Sequence, residues 1–202
     1  MGKPFLILLL ITLSILTFGY GRVEATPITP TDFDSIDPGQ VFAGPLTGDF
    51  ITSPVEGSKD VGDATNIVYF KDGLYTYTES VTPQMNNISE FNTGFSPQGW
   101  NGVAGFSFSQ ANTTGVGSGN INISQDPDGT IDWNLTNPNF DSGETITFFF
   151  QSTLPPGLGV YNLIDHSVGA TISYAPTPEP TTLLLLSSGL LGLAGLRRKL
   201  LN

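Results

Sequence analysis

The sequence predicts a mainly β protein: an antiparallel β-sandwich, jelly-roll or Ig-like, flanked by an N-terminal signal helix and a C-terminal transmembrane helix. Three observations carry that prediction. Short runs of alternating apolar and polar residues recur through the middle of the chain, as half-buried strands require. The 202 residues include 24 glycines and 15 prolines, which interrupt those runs and leave few stretches long enough for a helix. Two uncharged, largely apolar segments, residues 5–18 and 181–196, stand apart from this pattern at the two ends.

At the start, Lys3 provides a positive charge ahead of the apolar run 5–18. Gly19, Tyr20 and Gly21 break the run, and Val23-Glu24-Ala25 supplies a cleavage-type ending. This is the layout of a secretory signal peptide over 1–25, cut after Ala25, with a retained membrane helix as the alternative. Residues 26–37, rich in Pro, Thr and Asp, read as a linker. The β-domain is expected over 38–174.

Charge and cysteine content narrow the function. With both end segments set aside, residues 26–180 carry 17 acids against Lys59 and Lys71, a net charge of −15. Such a surface repels nucleic acid, which is excluded as a partner, and favours solubility. The chain has no cysteine, so there is no disulfide framework and no thiolate metal site. Its single histidine, His166, lies between Asp165 and Ser167. On a strand these three alternate between faces and cannot form a local triad.

Within the β-domain, residues 41–43 and 50–52 read as short edge strands. The first clear hairpin pairs Ile67-Val68-Tyr69-Phe70 with the strand 74–81 across Asp72-Gly73, whose glycine suits the positive-φ turn position. Tyr75 and Tyr77 fall on one face of that strand. They form either a core ladder or, with Trp100 in the turn 96–102, an exposed aromatic stripe for stacking on sugar rings. Residues 88–95 read as a strand. Residues 103–109 follow as an alternating strand with Phe106 and Phe108 on one side, and 112–120 as a loop. Ile121 and Ile123, then Ile131, Trp133 and Leu135, alternate on either side of Asp126-Pro127-Asp128-Gly129 and predict a second hairpin. Asp126, Asp128 and Asp132 match part of the spacing of a calcium loop. Ser124 and Leu135 stand at that loop's first and last places, so a tight turn is favoured and no cofactor is expected. The run 145–152 is the most apolar and is placed centrally; 159–164 and 170–174 complete the sheet.

The final stretch, 175–202, has three parts. Pro178-Glu179-Pro180 comes first. Residues 181–196 follow without a charge, and Arg197, Arg198 and Lys199 end the run. A helix of these 16 residues rises roughly 24 Å. That is short of a bilayer core of roughly 30 Å, yet able to span a thinned one with the cations at the cytoplasmic head groups. Gly189, Gly192 and Gly195 give one face small side chains suited to a helix contact. The order of the three parts resembles the PEP-CTERM sorting signal, with Thr177 where the usual form has valine. The resemblance implies that Pro178, Glu179 and Pro180 are recognised by exosortase, a membrane-embedded transpeptidase-like protease, and that the tail is removed. A plain C-terminal anchor is the alternative.

These readings converge on an exported, non-enzymatic protein. It crosses the inner membrane and ends at the cell surface or in an extracellular matrix, the exopolysaccharide association being implied by the resemblance. A carbohydrate-binding module built on Tyr75, Tyr77 and Trp100 is the alternative. A polysaccharide hydrolase using two of the many carboxylates is a third.

Overall fold

The computed structural model describes residues 24–137 and 139–177. The expected signal helix, the transmembrane helix 181–196 and the sorting residues Pro178, Glu179, Pro180, Arg197, Arg198 and Lys199 lie outside the described residues. Among the described residues no helix is long and apolar enough to cross a membrane.

The protein is mainly β, as the alternation predicts. Its strands are β1 (Thr26–Ile28), β2 (Thr31–Asp32), β3 (Gln40–Thr52), β4 (Asp60–Lys71), β5 (Leu74–Pro83) and β6 (Glu90–Thr93). They continue as β7 (Trp100–Phe106), β8 (Ile121–Gln125), β9 (Ile131–Leu135), β10 (Ile146–Ser152), β11 (Pro156–Ile164) and β12 (Val168–Pro176). A short helix, α1 (Phe108–Thr113), follows β7. All twelve strands join one hydrogen-bonded sheet in the order β1-β8-β9-β6-β11-β12-β3-β4-β5-β10-β7-β2. Every pairing is antiparallel except β2 with β7, so the sheet is mixed. The two separate antiparallel sheets expected of a sandwich are replaced by one continuous, curled sheet.

Side chains make the curl. Strand alternation turns Val68, Tyr77, Val81, Phe148, Phe150 and Phe106 to one face, all buried, together with Phe91, Trp133, Tyr161 and Leu163 from the other half. Phe91 of β6 stacks on Phe148 of β10 with ring centres 4.7 Å apart. Trp133 of β9 meets the same Phe148 edge-on at 5.8 Å, and its indole N–H donates to the Gly105 carbonyl of β7 at 2.9 Å. Strands far apart in the sheet order are therefore in contact across the core. Burying large aromatics here supplies most of the driving force for the curl, since each removes 150–250 Å² or so from water.

The segment expected as a linker closes that curl. β1 pairs with β8 at one edge of the sheet, and β2, two residues further on, pairs with β7 at the other edge. Phe33 then lays its ring against Phe149 at 5.4 Å and Tyr69 at 6.5 Å. Asp32 accepts the Phe108 N–H at 3.1 Å and Asp34 accepts the Ser109 N–H at 3.1 Å, holding the start of α1. Composition suggests a linker because Pro and Asp are poor strand formers in general; here they serve as edge and capping residues.

Both expected hairpins form. Asp72 and Gly73, at φ 51° and 85°, make the two-residue turn between β4 and β5. Gly129, at φ 91°, donates to the Asp126 carbonyl at 2.8 Å in the turn between β8 and β9. Two other expectations change. Residues 41–43 and 50–52 are parts of one long strand, β3, which lies inside the sheet between β12 and β4. Three register shifts along β3 break its alternation, and Pro45 has no N–H to give to the ladder. Phe108 belongs to α1 rather than to the preceding strand: the Ser107 hydroxyl accepts the Gln110 N–H at 3.2 Å and starts the helix.

Candidate functional site

The three aromatics proposed for sugar stacking separate into two groups. Tyr77 points into the core, 1% exposed, stacked on Phe150 at 5.2 Å with the rings 7° apart. Its hydroxyl donates to the Leu154 carbonyl at 2.8 Å, and burial pushes its pKa far above the usual tyrosine range. Tyr75 lies on the same face, as the alternation requires, but at the rim, where it is half-buried. Phe70 is the register partner of Tyr75, Tyr75 of Ser152, and Ser152 of Trp100, so one row crosses β4, β5, β10 and β7. Phe42 of β3 extends the row, with its ring 5.1 Å from Tyr75 and 6.0 Å from Phe70. Phe42 and Phe70 are 53% and 38% exposed. Trp100 is half-buried and donates from its indole to the Val103 carbonyl at 3.1 Å. The row was legible in Tyr75 and Trp100. Phe70 was within reach of the sequence, because the two-residue turn at Asp72-Gly73 sets it opposite Tyr75; Phe42 was not, because it sits at a register shift of β3.

The acids behave in the same way. Of Asp126, Asp128 and Asp132, Asp128 is committed to the turn: its carboxylate accepts the Thr130 N–H at 3.0 Å and hydroxyl at 2.8 Å, which hold its pKa down. Asp132 is buried on β9, and burial, followed by the Asp126 and Glu90 carboxylates, pushes its pKa up to about 7. The compact carboxylate group among the described residues lies elsewhere. Asp49, Asp60 and Asp63 offer oxygens within 4.8 Å of one another, all three exposed. Asp49 and Asp63 are register partners on β3 and β4. Gln84 donates to Asp60 at 3.0 Å and to Asp63 at 3.3 Å. Carboxylate oxygens are the ligand type a hard divalent cation takes, but three supply only part of the roughly six to eight it requires, and Gln84 already occupies two of these carboxylates.

His166 sits in the turn between β11 and β12, with its side chain 95% exposed and its Nδ1 2.8 Å from the Asp165 carboxylate. The contact exists because these residues form a turn and not a strand. Ala25 immediately precedes β1, so an expected cut after it would leave β1 intact. At the other end, the Thr177 N–H donates to the Pro155 carbonyl at 3.1 Å, which fixes the chain on the sheet one residue before Pro178.

Residues 176–199 match the family model described as the PEP-CTERM protein-sorting motif. No curated protein and no solved structure matches the chain. The chain therefore carries the sorting motif that its tail resembles, and the match begins where β12 ends. This motif is that of an exported protein, targeted and processed by exosortase, which crosses a membrane before processing.

Proposed function

We propose that this chain is a non-enzymatic surface or matrix protein, sorted through its tail and associated with exopolysaccharide. The match to the sorting motif carries this reading. Its position supports it: the β-domain is tied down through Thr177, and the motif's Pro178 follows at once, so removal of the tail leaves the sheet untouched. The two facing halves of the curl then serve as a jelly-roll-like sandwich that withstands export without disulfides. The acidic surface keeps the released domain soluble and hydrated. The test is the intact mass of the native protein, taken separately from cell envelope and medium. A species starting near Thr26 and ending close to Pro180 is expected. Protein found only in membranes, with residues 183–202 attached, sinks the sorting reading.

The rim row favours a second reading, carbohydrate binding. Exposed rings at Phe42 and Phe70, backed by Tyr75, offer apolar faces of the kind that stack on the C–H surface of a sugar. Retention of the protein on the native polysaccharide, lost in Phe42→Ala while melting is unchanged, supports it. Equal retention of both proteins removes it.

A further inference from the structure

One buried carboxyl group takes no part in any of these readings. Glu79 of β5 is 2% exposed and faces Asn66 of β4, 0% exposed, its direct register partner. The Asn66 side-chain N–H donates to one Glu79 oxygen, Oε2. It also reaches the Tyr174 carbonyl of β12 at 3.4 Å. Glu79 Oε1 and Asn66 Oδ1 are both buried without a hydrogen-bond partner. The groups around the pair are neutral: Ser173 of β12, Tyr77 of β5, and Tyr161 of β11, whose hydroxyl is spent on the Tyr174 carbonyl at 2.7 Å. The two lysines among the described residues, Lys59 and Lys71, and the histidine, His166, are exposed.

An ionised Glu79 has no donor, so both orphaned oxygens would stay unpaired in a dry core, the costly arrangement for buried polar atoms. One proton on Oε1 changes the count. Its O–H would have Asn66 Oδ1, the other orphan, as acceptor, while Asn66 N–H donates to Oε2, so that both orphans would be satisfied in a two-bond pair.

We propose that Glu79 is held as a neutral acid in a cyclic acid–amide pair with Asn66, and that this pair is a pH-sensitive lock on the curled sheet. The pair lies where β4 and β5 meet β11 and β12, so opening it loosens the contact between the two halves. Burial favours the neutral form and pushes the Glu79 pKa up to about 8, against the weaker opposing pull of the Asn66 hydrogen bond and the nearby Ser173 hydroxyl, which makes no hydrogen bond to the carboxyl in this geometry. A carboxyl whose pKa is raised on folding binds its proton more tightly in the native state. Its contribution is complete below the unfolded value of 4.5 and is lost as pH rises towards about 8. The lock therefore tightens as the surroundings of an exported protein acidify.

Glu79→Gln tests this in the full-length protein. Glutamine keeps the two-bond pair with Asn66 at every pH and cannot titrate. Urea unfolding at steps between about pH 5 and 8 should show the wild-type folding constant falling by up to about tenfold per pH unit relative to the variant. Near pH 8 the variant should be at least as stable as the wild type. Parallel curves across the range, or a variant weakened equally at every pH, overturn the proposal. Infrared spectroscopy of the folded protein gives an independent reading. A protonated carboxylic C=O band at neutral pH, missing in Glu79→Gln, is expected; the same absorbance in both proteins refutes the neutral acid.

Discussion

Replacing Gly105 by alanine tests whether the N-terminal strap closes the sheet. Gly105 lies on β7 opposite Thr31 of β2. A Cβ there would collide with the Thr31 carbonyl and come within 2.7 Å of the Phe149 ring. The backbone oxygen cannot yield while β2 is paired, so the strap must leave. Three contributions go with it. Half-buried Phe33 loses its contacts with Tyr69 and Phe149, about 1–2 kcal/mol. The two aspartates leave the start of α1, about 1 kcal/mol. The short β2–β7 ladder adds about 0.5–1 kcal/mol. The sum, about 3 kcal/mol, lowers Tm by roughly 6–12 °C for a domain of this size. Thermal unfolding by near-ultraviolet circular dichroism measures it. Hydrogen exchange at the Phe108 amide, which donates to Asp32 at 3.1 Å, reports the strap itself and should quicken. A Tm within about 1 °C of the wild type, with Phe108 protection intact, refutes the strap as a closing element.

Two further outcomes follow from the same structure. Asp132→Asn keeps shape but removes a carboxyl whose pKa is raised from 3.8 to about 7. That group's contribution is complete below 3.8 and is lost as pH rises towards about 7. The variant should gain stability near pH 8 and flatten part of the pH profile; an unchanged profile in urea unfolding counts against the buried, acid-flanked position of Asp132. Tyr77→Phe strips the Leu154 carbonyl of its donor and should cost about 1 kcal/mol in urea unfolding without altering polysaccharide retention. A loss of retention would instead place Tyr77 at the binding surface.

Local chemistry made several elements legible. Asp72-Gly73 and Asp126-Pro127-Asp128-Gly129 define turns by what their backbones can adopt, and the alternation around them fixes both hairpins. Trp133 is a core residue by the same alternation, and the apolar run 145–152 forms the largely buried β10. The Pro178-Glu179-Pro180 motif, the apolar run and the terminal cations form a linear signal, readable without a fold, and the family match agrees. Only the tertiary structure decided the rest, because it depends on partners distant in sequence. Pairing of Thr31 with Gly105 turns an apparent linker into the closure of the sheet. The pairing of β3 with β4 brings Phe42 to Phe70 and Tyr75 and gathers Asp49, Asp60 and Asp63, while Asp128 stays bound to its own turn. Glu79 looks like one more surface acid in a chain of acids until β4 sets Asn66 against it. Sequence determined the two hairpin turns and the alternation beside them; long-range pairing decided the extent of β3, the start of β7 at Trp100 and which faces are dry, and dryness is what gives Glu79 its proton.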